Sequence, residues 1–130
     1  MYLPFKPGSD KILVYFHGNA EDLGYSYEFA SSLRKFLALN LLVVEYPGYG
    51  LYRGHPNSDQ ILADADSVYE FIRKKLNVPP KDIILFGRSI GSGPACYLAG
   101  TRSIGRLKHN ISIMDLFDLF FHFFFLKKED

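Results

Sequence analysis

Short apolar runs alternate with helix-like segments from Lys11 to Gly100, and this alternation limits the possible folds more than any other feature. The runs at residues 12–16, 41–44 and 83–86 are almost continuously apolar, which is typical of strands covered on both faces. Such strands, joined by helices, form parallel sheets through right-handed crossovers. The pattern predicts a three-layer α/β/α fold with a mostly parallel sheet. We expect the first strand in the middle of this sheet, with the second and third strands at its two edges.

The two segments between the apolar runs have helical spacing. In the first, large apolar side chains recur every three or four positions, and Asn40 is the expected helix terminator. In the second, Ser58 is the expected N-cap. The predicted stripes are Tyr25, Phe29, Leu33 and Phe36 in the first helix, and Ile61, Ala65, Val68, Ile72 and Leu76 in the second.

A G-x-S-x-G motif, Gly87-Arg88-Ser89-Ile90-Gly91, follows the third apolar run and opens a helix-compatible stretch. In a nucleophile elbow of this type the serine sits on a strained strand-to-helix turn, and the residues two before and two after it must be small. Gly87 and Gly91 meet that requirement. The motif predicts Ser89 as a nucleophile that attacks an acyl carbonyl.

An oxyanion needs two donors, and the sequence offers a candidate for each. One is the backbone N–H of Ile90, directly after the predicted nucleophile. The other is the N–H of Asn19, in the loop His17-Gly18-Asn19-Ala20 that follows the first strand. Taken alone, Gly18-Asn19 is an ordinary strand-to-helix turn. Paired with the elbow, it is better interpreted as an oxyanion loop, because both loops leave the same edge of the sheet.

Three further residues have two interpretations each. Tyr49 lies in the glycine-rich turn after the second strand, where it either belongs to a tight turn or walls a pocket. Arg88 either binds a substrate carboxylate or braces the neighbouring loops, and the brace is favoured. Cys96, on the helix after the elbow, is expected to be a buried, inert thiol rather than a reactive one.

Composition excludes several classes of protein. The chain has 130 residues, of which 48% are hydrophobic, and this suits one domain with a core. A net charge of +1 argues against a general nucleic-acid binder. The single cysteine cannot form an intramolecular disulfide, and we see neither a signal peptide nor an uncharged apolar run of about 18 residues. We expect a cytoplasmic protein, with membrane association left open. The sequence shows no nucleotide-binding glycine motif.

Three motifs in order, Phe16-His17-Gly18-Asn19-Ala20, Glu45-Tyr46-Pro47-Gly48-Tyr49-Gly50 and the Ser89 elbow, resemble those of the α/β-hydrolase superfamily. More narrowly, residues 2–100 are similar to the eukaryotic α/β-hydrolase-domain group that includes membrane-associated protein depalmitoylases. The resemblance implies hydrolysis of acyl esters or thioesters without a cofactor. It assigns Ser89 as nucleophile and the Ile90 and Asn19 amides as oxyanion hole.

The chain departs from the family pattern after residue 100. In this family an aspartate and then a histidine follow the nucleophile, both on loops after later strands. Asp115 comes only 26 positions after Ser89, which is too few for the units that precede it in the family. Asp115, Asp118 and His122 share a helical face, which we interpret as a solvated edge in preference to a catalytic triad or a metal site.

We therefore predict a domain boundary near residue 100. Residues 1–100 form the N-terminal part of an α/β-hydrolase domain, and residues 101–130 form a divergent tail that holds six of the twelve phenylalanines in its last 14 positions. The favoured interpretation is a serine hydrolase that carries the nucleophile half of its site and lacks the acid and the base. The alternative is a non-catalytic, truncated interaction module or membrane-binding module.

Overall fold

The computed structural model describes residues 1–6, 8–102 and 104. These residues form four strands and three α-helices. In chain order they are β1 (Tyr2–Leu3), β2 (Ile12–Phe16), α1 (Leu23–Leu37), β3 (Asn40–Val44), α2 (Ser58–Lys74), β4 (Ile83–Gly87) and α3 (Ser92–Thr101). Two single 3₁₀ turns, Pro80–Asp82 and Ser89–Gly91, precede β4 and α3. The tail residues Asp115, Asp118 and His122 lie outside the described residues.

The four strands form one sheet in the order β1-β3-β2-β4. β2 pairs in parallel with β3 on one side and with β4 on the other, which confirms the predicted central position of the first apolar run. All five residues of β2 are buried, as expected for a strand covered on both faces. Phe16 lies opposite both Val44 and Gly87, so the three parallel strands end at the same level. The loops after them therefore leave from one edge.

Helices cover both faces of the sheet. Alternate residues of each strand point to opposite faces, and two clusters of buried side chains result. On one face, Val14 and Phe16 pack with residues of α2 and α3. On the other, Leu13 and Tyr15 pack with α1. The predicted three-layer α/β/α architecture with a mostly parallel sheet is confirmed.

The predicted buried stripe of α1 is partly wrong. Phe29 and Leu33 do pack on the sheet, but Tyr25 is 77% exposed and Phe36 is 59% exposed. The fully buried residues of α1 are Ser26 and Ala30, which are small enough to let the helix approach the strands closely. The larger aromatic side chains at the margins of that face extend into solvent.

Both predicted helix boundaries also need correction. α1 ends at Leu37 and is capped by Ala38, which has left-handed backbone with a φ of 53°, so Asn40 is not the helix terminator. The Asn40 side chain instead donates to Ser9 O at 2.6 Å and accepts from the Phe5 N–H. The N-cap of α2 is Asn57 rather than Ser58, because the Asn57 carbonyl oxygen accepts from two backbone N–H groups of the first turn.

The remaining stripe prediction is confirmed. α2 buries Ala65 and Ile72 against the sheet, and the other predicted members pack around them, although Leu76 lies two residues beyond the end of the helix. Its hydrophobic periodicity persists over the full length of the helix, which is why the sequence was sufficient to predict this face. In the part of the chain that the structure covers, no helix is both long enough and apolar enough to cross a bilayer.

The expectation that β3 would be a sheet edge is wrong. β1 pairs with it in an antiparallel orientation, with Tyr2 opposite Leu42. The terminal ammonium group of Met1 donates to Val43 O at 2.7 Å, and Met1 O accepts from the Val43 N–H at 2.8 Å. A strand of two residues is too short to show any periodicity in sequence. Among residues 1–6, 8–102 and 104, β4 pairs only with β2, so its other edge has no strand partner from this part of the chain.

Candidate active site

Ser89 occupies the turn between β4 and α3 in left-handed backbone, with a φ of 52°. An L-residue adopts this region only when its surroundings enforce it. The enforcing contacts are made by the two flanking glycines. A Cβ on Gly87 would lie 2.6 Å from Ser92 Cα, and a Cβ on Gly91 would lie 2.6 Å from Phe16 C. Only glycine fits at either position, so the sequence motif forms a strained strand–turn–helix elbow.

The elbow packs directly against the loop that follows β2. The Arg88 N–H donates to Phe16 O at 2.9 Å, and a Cβ on Gly18 would lie 3.7 Å from Arg88 O. Ser89, Ile90 and Asn19 are all exposed beside this contact. The residues predicted as nucleophile and oxyanion donors therefore lie on two neighbouring loops at the carboxyl edge of the sheet.

A buried histidine and a carboxylate fix the first part of the β2–α1 loop. The His17 ring is fully buried, and its Nε2 lies 2.7 Å from Glu45 Oε1. Glu45 Oε2 accepts from the Leu23 N–H at 3.0 Å. The Tyr46 hydroxyl donates to His17 O at 2.8 Å. His17 thus supports the loop rather than facing a substrate.

Arg88 forms a brace between the elbow and the same loop. Its guanidinium lies 2.5 Å from Glu21 Oε1, while its side chain remains 52% exposed. The other oxygen of Glu21 accepts from the Tyr15 hydroxyl at 3.3 Å and from the Ser26 hydroxyl at 3.4 Å. This arrangement matches the favoured sequence interpretation of Arg88 as a brace.

Burial keeps the two tyrosine hydroxyls of this region protonated. It raises the pKa of Tyr15 to about 12, and the negative charge of Glu21 adds to the increase. Burial also raises the pKa of Tyr46 strongly, with smaller contributions from Tyr15 and Tyr49. Both groups therefore act as hydrogen-bond donors at any physiological pH.

Tyr49 contacts the predicted oxyanion residue directly. Its hydroxyl donates to Asn19 Oδ1 at 2.6 Å, and its ring meets Tyr46 edge-on with centroids 5.5 Å apart.

A cavity of about 480 Å³ lies elsewhere, between the outer side of β3 and α2. Residues such as Tyr2, Tyr52 and Phe71 line it, whereas Ser89, Tyr49 and Arg88 do not.

Cys96 is exposed, so the expectation of a buried thiol is wrong. α3 buries Ala95 and Leu98 against the sheet, and the intervening helical rotation turns Cys96 toward solvent. Across residues 1–6, 8–102 and 104, no group of His, Cys, Asp and Glu side chains could hold a metal ion.

The described residues supply no evident general base. Their two histidines are His17 and His55. Both ring nitrogens of His17 already face oxygen atoms, those of Gly18 and Glu45. His55 lies in the exposed segment between β3 and α2.

Sequence reasoning did not assign a role to Glu21 or Glu45. Both side chains are nearly buried, at 10% and 12% exposure. Glu45 directly follows a buried apolar strand, and a carboxylate at such a position needs a partner. The position of Glu45 therefore indicated that its carboxylate has a partner. Local spacing could not identify that partner as His17, which lies 28 residues earlier in the chain.

The fold and the elbow define a partial α/β-hydrolase type of structure, and comparison with known proteins agrees. The chain is 36% identical over 99 residues to "Alpha/beta hydrolase domain-containing protein 17C" from Xenopus laevis and from Homo sapiens, a match that covers 76% of this chain. It is also 36% identical over 101 residues, or 78% of the chain, to "Alpha/beta hydrolase domain-containing protein aho-3" from Caenorhabditis elegans.

The match covers about a third of each relative, with 32% of the Xenopus protein and 30% of each of the other two. No protein-family model matches the chain, and no solved structure matches it. The predicted resemblance to α/β-hydrolase-domain proteins is confirmed, and it is partial.

Proposed function

We propose that this chain carries the nucleophile half of a serine-hydrolase site that acts on acyl esters or thioesters. The observation that carries the proposal is the left-handed backbone of Ser89 on a strand–helix turn that only glycines at 87 and 91 permit. Natural chains retain strain of this kind where it serves a function. The similarity to α/β-hydrolase-domain proteins supports the same reaction class.

In the proposed reaction the Ser89 Oγ loses its proton to solvent water and bonds to the acyl carbon, and the electron pair of the C=O π bond moves onto the carbonyl oxygen, which becomes negatively charged. When that C=O bond re-forms, the bond to the alcohol or thiol breaks and this group leaves with a proton from water. A second water molecule then hydrolyses the acyl-serine ester to the free acid.

The Ile90 and Asn19 amides would donate hydrogen bonds to the negatively charged carbonyl oxygen. The N-terminal end of α3, directly after the elbow, favours negative charge at the same place. The narrower form of the proposal takes a long-chain protein thioester as substrate, which makes the reaction a depalmitoylation.

The proposal also sets the expected level of activity. Without a partner histidine, a serine hydrolase keeps only about 10³ to 10⁴ of rate enhancement over water, which comes from the oxyanion hole and binding. We expect slow reaction with a fluorophosphonate probe and very weak hydrolysis of a short-chain nitrophenyl ester.

The test measures covalent labelling of the full chain by a fluorophosphonate, followed by peptide mass spectrometry. The label is expected on Ser89, and Ser89→Ala should abolish it. Cys96→Ala is the matched control because this exposed thiol lies on the adjoining helix. It should label like the natural chain. Labelling that survives Ser89→Ala, or a natural chain that does not react, contradicts the proposal and favours the non-catalytic binding module.

A further inference from the structure

The β2–α1 loop begins and ends at the same carboxylate. His17, the first residue after β2, places Nε2 2.7 Å from Glu45 Oε1. Leu23, the first residue of α1, donates its backbone N–H to Glu45 Oε2 at 3.0 Å. Glu45 itself follows the neighbouring strand β3. One side chain therefore fixes both ends of the loop that contains Asn19.

The contacts of Glu45 are shielded from water, which makes them stronger than similar contacts on the surface. The His17 side chain is fully buried, and that of Glu45 is 12% exposed. Hydrogen bonds to a charged group are about twice as strong as neutral ones, and a low local dielectric strengthens them further. Glu45 Oε1 lies 3.3 Å from Tyr46 N as well, so two backbone N–H groups and the His17 ring surround the carboxylate.

His17 also contacts the backbone of the next residue in the loop. His17 Nδ1 lies 3.0 Å from Gly18 O. A carbonyl oxygen can only accept, so Nδ1 is the donor in any hydrogen bond between these two atoms. The contacts at both ring nitrogens fix the rotation of the ring. The peptide group that Gly18 O belongs to also contains the Asn19 N–H, so the histidine holds the peptide of the proposed oxyanion donor.

We infer that Glu45 is a positioning residue for the oxyanion hole, which acts through His17 and Leu23 to hold the Asn19 amide in place beside Ser89. The inference rests on the proposed function. Oxyanion donors must lie about 2.7–3.1 Å from the developing charge. A displacement of about 1 Å in a reacting group can lower a rate by about 10²-fold. A loop released at either end would exceed that tolerance.

Two variants of Glu45 remove its contacts to different extents. Glu45→Gln keeps the shape of the side chain and leaves one acceptor oxygen where the carboxylate has two. Glu45→Ala removes both. The control is Asp66→Asn, which neutralises a carboxylate that pairs with Arg102 at 2.7 Å, between α2 and the end of α3. It accounts for the general effect of losing an ion pair.

Two measurements are made on the full chain of each variant. The first is the rate constant for fluorophosphonate labelling of Ser89. The second is the hydrogen–deuterium exchange of the peptide that covers residues 17–23. We expect labelling to slow about 10-fold or more in Glu45→Ala and less in Glu45→Gln, with faster exchange in the loop. Asp66→Asn should stay within about twofold of the natural rate.

The outcomes separate the inference from the function on which it rests. If the natural chain labels at Ser89 and Glu45→Gln matches it in both rate and loop exchange, the inference is wrong. If loop exchange rises while the labelling rate is unchanged, Glu45 stabilises the loop only, and the positioning role is again wrong. A natural chain that does not label overturns the proposed function, and this role of Glu45 with it. Should Glu45→Ala fail to fold, Glu45→Gln decides alone.

Discussion

Replacing Gly91 by alanine should destabilise the whole domain as well as the elbow. A Cβ at this position would overlap Phe16 O, and it would lie 2.6 Å from Phe16 C and 2.8 Å from His17 O. Carbon atoms in ordinary contact are about 3.5–4.0 Å apart, so the overlap is on the order of 1 Å. All three obstructing atoms are backbone atoms at the end of the buried central strand. They cannot move without disturbing the pairing of β2 with β4.

Overpacking of a core costs about 1–3 kcal/mol and sometimes more. Because the obstruction here is backbone, we expect a loss of about 3 kcal/mol, which is a large part of the 5–15 kcal/mol typical of a domain. With a urea dependence of about 1–3 kcal/mol per molar, the unfolding midpoint should fall by about 1 M or more. Far-UV circular dichroism in urea measures this midpoint.

Gly100→Ala is the matched control for this substitution. Gly100 lies in α3, and a Cβ there would meet no atom within 4 Å. Alanine is preferred to glycine in a helix by about 0.5–1 kcal/mol, so this variant should be slightly more stable than the natural chain. If Gly91→Ala unfolds at the same urea concentration as Gly100→Ala, the close approach of the elbow to β2 does not constrain the fold.

Three further changes have defined outcomes. Ala38→Gly should stabilise the chain by about 0.5–1 kcal/mol in urea unfolding. Glycine removes the cost of left-handed backbone, about 1–2 kcal/mol, but loses about 0.5–1 kcal/mol more conformational entropy on folding than alanine does. A less stable variant would contradict this expectation. Burial of Asp66 acts to raise its pKa, but hydrogen bonds from Arg102 and Tyr97 outweigh burial and lower the pKa. The ionised Asp66 side chain therefore stabilises the fold above its unfolded pKa of about 4, and the stability advantage over Asp66→Asn should disappear as pH falls below that value. Thermal unfolding of both chains from pH 7 to pH 3 measures this advantage. A difference that stays constant over this range would refute the prediction. Burial raises the pKa of Tyr15 to about 12, above the unfolded value of about 10. The natural chain should therefore lose stability relative to Tyr15→Phe as pH rises from about 10 toward 12. Urea unfolding of both chains measures this difference. Equal losses of stability in the two chains would count against the effect of burial on Tyr15.

The sequence was sufficient to predict the parts of this fold that are long and periodic. Three apolar runs gave the parallel strands and their order, and one stripe gave the buried face of α2. The elbow could also be predicted, because its motif spans only five residues, although the backbone that excludes a side chain at Gly91 belongs to Phe16 and His17. These features depend on backbone geometry and hydrophobic burial alone.

The errors arose where tertiary packing decides between local alternatives. The exposure of Tyr25 depends on how closely α1 approaches the sheet, and the exposure of Cys96 depends on which face of α3 is buried. β1 gains its structure only from pairing with β3. Glu45 acquires its role from a histidine in the loop that follows another strand, β2. No spacing rule connects residues that far apart.

The shared end point of the three parallel strands has a consequence for insertions and deletions. One residue inserted into β2 would turn every later side chain of that strand to the opposite face. His17 would then point away from Glu45, and the elbow would lose the backbone against which Gly91 packs. Residues 53–56 are exposed and connect β3 to α2 beyond this edge. Related chains that differ in length should therefore differ there, while the distance from β2 to its loop stays constant.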